Sequence, residues 1–370
     1  MMSLTGAALP VVLAVVALGL FVFLAAGIPW VRSRWAAIAA RGTGLVVLNL
    51  VVVGLVGTLV NDHFDFYVSW SDLAGASSAV TVTHHGASAR AAASHGMASP
   101  LARTPSILPA LRSSGRLQIY VVNGSRSHVR GQVDVLLPRG YDAKRPTRYP
   151  VIEALHGFPG SPQSWLTGMN LQQTLDAQVA AHVVAPAVVV LPQGNVPMGV
   201  DGECVNGPAG TPQVETWLGV DVPNFVATHF RVRTERSSWA VAGYSEGGWC
   251  AAMTGMLHPS VFGGSLVFSG TCAPEFTDHY RPFGRSTPSR YNLVRLARTH
   301  PPALAMWVQS SKRDGYSYPP TAAFLRQVRP PLSVTTLLLK TGGHREQLWA
   351  NELPAALRWL GRSVPGFAPQ

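Results

Sequence analysis

The chain has 370 residues, of which 13% are charged and 47% are hydrophobic, and its formal net charge is +11. Disorder requires low hydrophobicity together with high charge, so this composition excludes a disordered protein. A basic balance can indicate nucleic-acid binding, but the 29 basic residues form no Lys/Arg-rich run. We therefore expect no nucleic-acid partner.

Residues 1–61 contain two apolar runs and are predicted to form a membrane anchor. The runs, at about residues 7–31 and 42–60, are long enough to cross a hydrocarbon core of about 30 Å as helices. The charged residues of this region lie between the runs and are all arginines: Arg32, Arg34 and Arg41.

Positive residues flanking transmembrane helices stay in the cytoplasm, so these arginines orient the anchor. The chain is then a multi-pass cell-membrane protein whose remaining residues are extracytoplasmic. A cleavable signal peptide followed by a buried helix is the alternative, but the positive charge that usually begins a signal peptide is missing.

Residues 62–115 are rich in Ala, Ser, Gly and His and show no sustained period, which predicts a flexible extracytoplasmic linker. The histidines His84, His85 and His95 lack the cysteine or carboxylate spacing of a metal site. We therefore expect no metal here.

Residues 116–370 alternate short apolar runs with helical patterns, which is typical of βα units and a mostly parallel sheet. An antiparallel pair of strands is predicted to open this domain, and a helix over residues 345–360 is predicted to close it. The predicted strands are 117–122, 132–137, 151–155, 187–191, 238–242, 262–268, 303–309 and 334–340.

The strongest chemical signal is a Gly-x-Ser-x-Gly sequence from Gly243 to Gly247. It follows a predicted strand and precedes an apolar helix, which is the context of a nucleophile elbow. The two glycines remove Cβ atoms that would collide in such a tight turn. Ser245 is therefore the predicted nucleophile, raised above the sheet at the positive end of the next helix.

A serine hydroxyl needs a general base to attack an ester at neutral pH. In chains with this turn the order is serine, then acid, then histidine. His344 is the last histidine, follows the final predicted strand and is the predicted base. Asp314 follows the preceding strand and is the predicted acid, with Glu275 and Asp278 as competitors.

The oxyanion that develops on an attacked carbonyl needs N–H donors that are already in position. One predicted donor is the amide of Glu246, the residue after the nucleophile. The other is predicted in the turn from His156 to Phe158, and the Phe158 amide is favoured because Pro159 has no N–H to donate.

Five sequence blocks are similar to a known family: Leu155-His-Gly-Phe-Pro-Gly-Ser161, Leu191-Pro-Gln-Gly194, Asp201-Gly-Glu-Cys-Val-Asn-Gly-Pro208, Asp221-Val-Pro223 and Ala242-Gly-Tyr-Ser-Glu-Gly-Gly-Trp-Cys-Ala251. From about residue 117 to 360 the chain resembles the α/β-hydrolase superfamily, and within it the esterase D and mycolyltransferase-like branch. It looks most like the actinobacterial membrane-anchored esterases of that branch.

The resemblance implies an α/β-hydrolase fold preceded by two transmembrane helices, with Ser245, Asp314 and His344 as the triad. It implies a serine esterase that forms an acyl-enzyme and needs no cofactor or metal. The expected partners are the membrane and an ester substrate, such as an acyl-lipid or cell-envelope ester. The alternatives are an acyltransferase with the same triad and a non-catalytic envelope binding module. No oligomeric state is predicted.

The chain has three cysteines, so at most one disulfide can form within it. The resemblance favours a disulfide between Cys204 and Cys250, which would leave Cys272 free. A disulfide between Cys204 and Cys272 is the alternative. No CxxC spacing of a zinc site is present.

Overall fold

The structure is a computed structural model that describes residues 2–27, 33–75, 79–101, 108–197, 199–277, 280–284 and 286–369. The chain divides into two compact units. The helical unit comprises Met1–Ala79 together with Lys340–His344. The sheet unit comprises Val80–Leu339 and Arg345–Gln370.

The helical unit contains two long apolar helices. Helix α1 spans Ala8–Val22 and continues as a π-helical turn over Phe23–Gly27, α2 spans Arg34–Phe64, and the short α3 spans Trp70–Leu73. Most residues of α1 and α2 are exposed and very few are buried, and both helices are long and apolar enough to cross a membrane. An exposed apolar surface of this size is costly in water.

Helix α2 is longer than the predicted span at residues 42–60. It begins after Ser33, whose side chain caps the helix by accepting from the Ala36 N–H, and its 31 residues extend for about 46 Å. Arg34 and Arg41 therefore lie within the helix and not in a loop. The reason is local, because the alanine-rich segment between these arginines has a high helix propensity.

The sheet unit is built on one ten-stranded sheet with the order β1-β10-β9-β8-β7-β5-β6-β4-β3-β2. The strands from β5 to β10 are mutually parallel, whereas β1 to β4 pair antiparallel with their neighbours. The strands are β1 Val80–Gly86, β2 Arg112–Ser114, β3 Leu117–Asn123, β4 Arg130–Leu136, β5 Val151–Leu155, β6 Val188–Pro192, β7 Trp239–Tyr244, β8 Gly264–Phe268, β9 Ala305–Ser311 and β10 Ser333–Leu339.

Helices cover both faces of this sheet, and the side chains of the buried strands alternate between two apolar clusters. In β5, Val151 and Leu155 enter one cluster, whereas Ile152 and Ala154 enter the other. The helices are α4 Ala89–Ala93, α5 Ser164–Thr167, α6 Leu171–Ala180, α7 Val214–Thr216, α8 Val222–His229, α9 Glu246–Leu257, α10 Leu293–Thr299, α11 Tyr318–Leu325 and α12 Glu346–Ser363. The predicted α/β architecture is confirmed.

The structure differs from the predicted linker over residues 62–115. Residues 80–86 form the edge strand β1, which pairs with the last strand β10 along its whole length. The Thr83 and Thr336 hydroxyls are hydrogen-bonded across this pair, at 2.5 Å. The reason is the Val-Thr-Val-Thr sequence that begins at Val80, since β-branched residues favour strands. A domain beginning at residue 116 would therefore lack both edge strands of its sheet, β1 and β2.

Arg236 fixes the segment that follows β1. Its buried guanidinium donates to the carbonyl oxygens of Ala92, at 3.0 Å, and Ala93, at 2.7 Å, and also to those of Phe262 and Ala303. Burial lowers the pKa of Arg236 to about 10. Carbonyl oxygens thus stabilise the Arg236 charge in place of a carboxylate, and these hydrogen bonds hold the end of α4 against the segments that carry Phe262 and Ala303.

Glu215 joins three separate segments of the sheet unit. Its carboxylate accepts hydrogen bonds from Arg290, at 2.5 Å, Tyr291, at 2.7 Å, and His258, at 3.1 Å. Burial alone would raise the pKa of Glu215, but the hydrogen bonds from His258 and Tyr291 and the charge of Arg290 outweigh it and hold the pKa below its usual value. The ionised carboxylate is therefore the form that stabilises the fold.

Replacing Glu215 with glutamine is expected to lower the free energy of unfolding by about 2 kcal/mol at pH 7, because three donors lose a buried, charged acceptor. A lowered pKa adds stability above the unfolded value of about 4.3 and loses it as the pH falls further. The difference between wild type and Glu215→Gln, measured by urea unfolding, should therefore shrink below about pH 4. The control is Glu352→Gln on α12. A difference in stability between wild type and Glu215→Gln that is independent of pH would contradict this prediction.

Candidate active site

The predicted nucleophile turn lies between β7 and α9. The backbone of Ser245 has φ 56° and ψ −126°, a conformation that residues other than glycine rarely adopt. A Cβ atom on Gly243 would overlap the Gly247 carbonyl, and one on Gly247 would overlap the Leu155 carbonyl. The Ser245 N–H donates to the Phe268 carbonyl at 2.9 Å. Both glycines and this hydrogen bond hold the strained turn in place.

The turn after β5 lies directly beside the nucleophile. A Cβ atom on Gly157 would come within 3.1 Å of the Ser245 Cβ, so any larger residue there would have to displace its neighbours by a few tenths of an ångström. Phe158, the predicted oxyanion donor, follows Gly157, and Glu246, the other predicted donor, is the first residue of α9. The structure therefore brings the two predicted donor segments to the same serine.

His156 supports the turn as a neutral imidazole. Its Nε2 accepts from the Gly194 N–H at 3.3 Å, so its Nδ1 carries the proton and donates to the Gly157 carbonyl at 2.9 Å. Burial lowers the pKa of His156, although the bond to Gly157 acts in the opposite direction. The imidazole thus orients the Gly157 peptide without adding charge beside Ser245.

Asp314 lies three residues after the end of β9, and its side chain is 1% exposed. Its Oδ1 accepts from the N–H groups of Tyr316, at 3.0 Å, and Ser317, at 3.1 Å, and its Oδ2 accepts from the Ser317 hydroxyl at 2.7 Å. These bonds fix the orientation of the carboxylate. Of its two competitors, Glu275 is exposed in the loop after β8, and Asp278 lies outside the described residues.

His344 lies five residues after the end of β10 and belongs to the helical unit. Its backbone N–H donates to the Asp65 carbonyl at 2.7 Å, and a Cβ atom on Gly343 would overlap the Phe66 carbonyl. Because β7, β9 and β10 are parallel, their carboxyl ends lie on the same side of the sheet. The segments that carry Ser245, Asp314 and His344 follow these three carboxyl ends. Residues at this edge form the active sites of open α/β sheets.

The structure contains a disulfide between Cys204 and Cys250, whose Cα atoms are 5.7 Å apart. It links the loop after β6 to the second turn of α9. Cys272 is a buried free thiol, and burial raises its pKa to about 12. A carboxyl oxygen of Glu246 lies within 4.8 Å of both disulfide sulfurs. Because disulfide sulfurs are not thiolates, these three residues are a poor set of metal ligands.

Removing the disulfide by the double substitution of Cys204 and Cys250 with alanine is expected to lower the free energy of unfolding by about 4 kcal/mol. The disulfide closes a 46-residue loop, and a closed loop of that length restricts the unfolded chain by about this amount. Guanidinium unfolding of the full chain measures the change. The control is Cys272→Ala, for which we expect a smaller loss; equal losses would contradict the prediction.

Three acidic residues with buried carboxyl oxygens, on the loop after β6 and at the start of α9, were not predicted as a group from the sequence. Glu246 is 4% exposed, Glu203 is 3% exposed, and one carboxyl oxygen of Asp201 is fully buried. In the sequence, Asp201 and Glu203 were noted only as part of the block Asp201–Pro208 that is similar to the family. This block lies some forty residues before Glu246. No periodicity or spacing indicates that the loop after β6 returns to the nucleophile helix; the disulfide between Cys204 and Cys250, which the family resemblance favours and the structure contains, does indicate it.

Comparison with known proteins agrees with the fold of the sheet unit. The model of the Esterase family matches residues 124–362. An uncharacterized protein of Corynebacterium glutamicum is 32% identical over 138 residues, which are 37% of this chain and 32% of that protein. The chain therefore spans about a third of the length of this curated relative.

Three similar solved structures share the architecture at low sequence identity. A ferulic acid esterase is 18% identical, with a TM-score of 0.57 over 66% of this chain and 97% of its own. A fluorophosphonate-binding serine hydrolase of Staphylococcus aureus is 14% identical, with a TM-score of 0.55 over 67% and 99%. An S-formylglutathione hydrolase of Agrobacterium tumefaciens is 16% identical, with a TM-score of 0.54 over 68% and 98%. Each of them is similar in fold to the sheet unit.

Proposed function

The chain belongs to the Esterase family of α/β-hydrolases, a family of serine carboxylic-ester hydrolases, and on that basis we propose that it hydrolyses carboxylic esters through Ser245. The observation that carries this proposal is the strained backbone of Ser245 at a strand-to-helix junction. Such strain has a cost in stability and is retained where a side chain must be held exposed for chemistry.

In the proposed mechanism the Ser245 hydroxyl attacks the ester carbonyl carbon while His344 accepts its proton. Asp314 holds the imidazole in the required orientation and stabilises its protonated form. The amide N–H groups of Phe158 and Glu246 bind the oxyanion. His344 then returns the proton to the leaving alcohol, and an acyl-enzyme remains on Ser245. Water activated by His344 releases the acid and restores the serine.

We further propose that α1 and α2 anchor the protein in the membrane. Their exposed apolar side chains and their lengths support this, as do Arg34 and Arg41 near one end of α2. With these arginines on the cytoplasmic side, the sheet unit is extracytoplasmic. An enzyme held there would meet acyl lipids or cell-envelope esters as substrates.

Labelling with a fluorophosphonate probe tests the catalytic part of this proposal. The full chain in detergent is expected to be labelled, and Ser245→Ala is expected to remain unlabelled. Ser289→Ala, which removes an exposed serine of the same unit, is the control and should be labelled like wild type. Equal labelling of wild type and Ser245→Ala would overturn the assignment of the nucleophile.

The substrate class is tested separately with esters presented in two ways. The full chain, reconstituted in vesicles, is given either a lipid ester in the same bilayer or a soluble short-chain ester. Faster turnover of the lipid ester is the expected result. Equal turnover of the soluble ester in detergent and in vesicles, with no cleavage of lipid ester, would contradict an envelope-lipid substrate.

A further inference from the structure

The loop that carries the proposed base, Lys340–His344, is held at both ends by the helical unit to which it belongs. At its beginning, the Lys340 N–H donates to the Ala79 carbonyl at 2.9 Å. At its end, the His344 N–H donates to the Asp65 carbonyl at 2.7 Å. Asp65 is the residue that caps the C-terminus of α2. The proposed base is therefore one backbone hydrogen bond away from the end of a proposed membrane helix.

The contact between this loop and the end of α2 is too close for a side chain. A Cβ atom on Gly343 would overlap the backbone carbonyls of both Asp65 and Phe66. Such a collision with backbone is not relieved by a side-chain rotation, so only glycine permits this approach. His344 is the next residue, and its backbone is therefore placed directly by the segment that follows α2.

Asn61, in the last turn of α2, fixes the segment that makes these contacts. Its Nδ2 donates to the Tyr67 carbonyl at 2.9 Å, and its Oδ1 accepts from the Tyr67 N–H at 2.8 Å. Asp65 adopts a left-handed backbone, with φ 53° and ψ 34°, and its N–H donates to the Asn61 carbonyl at 2.8 Å. The buried Asn61 amide thus closes residues 65–67, which we call the capping turn, onto the end of the helix.

Hydrogen bonds on either side of the capping turn attach it to the rest of the helical unit. After the turn, the Val68 N–H donates to Asp72 Oδ2 at 3.1 Å, and the Ser69 hydroxyl accepts from the Asp72 N–H at 3.1 Å. Before the turn, Asp62 Oδ1 accepts from the Gly6 N–H at 3.1 Å. The capping turn is therefore a fixed connection between α2 and α3.

The His344 loop needs such a fixed partner. A general base must lie within about 2.6–3.2 Å of the oxygen whose proton it accepts. Gly342 and Gly343 directly precede His344, and glycine leaves the backbone more conformational freedom than any other residue. A misplacement of about 1 Å can lower an enzymatic rate by about 10²-fold. A loop with two glycines therefore depends on outside contacts to hold its base in place.

We propose that Asn61 and the capping turn position His344 for catalysis, so that the end of α2 contributes to the reaction and is not only an anchor. Asn61 is a positioning residue, since it acts through the backbone of the capping turn. This inference rests on the proposed function, in which His344 is the base. It adds to that function a dependence of proton transfer on the last turn of a membrane helix.

The test compares kcat/KM for a p-nitrophenyl ester and an ethyl ester of the same acid, with the full chain in detergent. An ethoxide leaving group must receive a proton from His344, whereas p-nitrophenolate leaves without one. Asn61→Ala is expected to lower kcat/KM by about 10²-fold for the ethyl ester and by a smaller factor for the p-nitrophenyl ester. A merely structural role would reduce the amount of folded enzyme and lower both values by the same factor.

Asn49→Ala is the matched control, because it makes the same change on the same helix. The Asn49 amide donates to the Leu45 carbonyl at 3.1 Å, which is a bond within α2. This variant should keep the wild-type ratio of the two kcat/KM values. The proposal is overturned if Asn61→Ala keeps that ratio or if Asn49→Ala changes it as much.

Gly343→Ala tests the same contact from the other side and leaves α2 unchanged. Its Cβ atom should displace the loop from the capping turn, so the ethyl ester should again be affected more than the p-nitrophenyl ester. Gly96→Ala is its control, because a Cβ atom there meets no atom within 4 Å. A wild-type ratio in a folded Gly343→Ala would also overturn the proposal.

Hydrogen–deuterium exchange separates this inference from the proposed function. A peptide containing Lys340–His344 should exchange faster in Asn61→Ala than in wild type or Asn49→Ala. If exchange rises but wild type cleaves no ester, the esterase function is overturned while the attachment of the loop stands. If cleavage depends on Ser245 but Asn61→Ala has the exchange and the ester ratio of wild type, the positioning role is wrong and the function stands.

Discussion

Replacing Ser245 with alanine is expected to reduce kcat by about five to six orders of magnitude. Without the hydroxyl no acyl-enzyme forms, and water must attack the ester directly with only the oxyanion donors to assist. The binding groups remain in place, so KM should change little. Alanine keeps the Cβ atom, so the backbone of residue 245 should keep its conformation and the variant should be about as stable as wild type.

Steady-state hydrolysis of a p-nitrophenyl ester by the full chain measures this loss, with thermal unfolding as the check on folding. Ser289→Ala is again the control and should retain wild-type kcat. Residual activity above one-hundredth of wild type in a folded, uncontaminated Ser245→Ala would mean that another residue is the nucleophile. The loss corresponds to about 7–8 kcal/mol of transition-state stabilisation.

Replacing Asp314 with asparagine is expected to reduce kcat by about 10⁴-fold, because the histidine then loses the partner that fixes its tautomer and stabilises its charge. The effect on KM should be small. The carboxylate also accepts three hydrogen bonds from Tyr316 and Ser317, so Asp314→Asn should lower the unfolding temperature as well. Activity is therefore measured well below that temperature.

Glu275→Gln is the matched control, since Glu275 is the described competitor for the role of catalytic acid. We expect it to keep kcat within a few-fold of wild type. A large loss in Glu275→Gln together with a mild loss in Asp314→Asn would reverse the assignment. The three bonds that orient the Asp314 carboxylate, compared with the exposed position of Glu275, are the physical basis for the expected order.

The sequence predicted the central strands and the nucleophile turn because both depend on local chemistry. A buried parallel strand such as Val151–Leu155 is a continuous apolar run bounded by turn residues, and the structure places β5 at those same residues. The turn at Ser245 was predicted from two glycines that stand between a predicted strand and an apolar helix. These signals lie within a few residues of the feature that they predict, so they needed no knowledge of distant contacts.

The features that were missed depend on partners far away in the chain. Val80–Gly86 has a β-branched alternation, but nothing near it shows that β10 provides its partner. Glu203 and Glu246 are buried acidic residues about forty positions apart in the chain, and neither local sequence indicates this burial. Helix α2 extends beyond its apolar run because helix propensity, and not hydrophobicity, decides where it begins. Helix and strand propensities and the apolar pattern therefore predicted where the elements lie. Which elements pack or pair with each other depends on contacts between residues far apart in the chain.

The pairing of β1 with β10 has a consequence for the order in which the protein folds. Thr83 and Thr336 are separated by 253 residues, so one of the first strands to be synthesised cannot find its partner until nearly the whole chain exists. During synthesis β1 remains an unpaired edge, which is a template for aggregation. Closing a loop of this length also slows folding. Completion of the sheet at β10 is therefore the step at which we expect a chaperone to matter most.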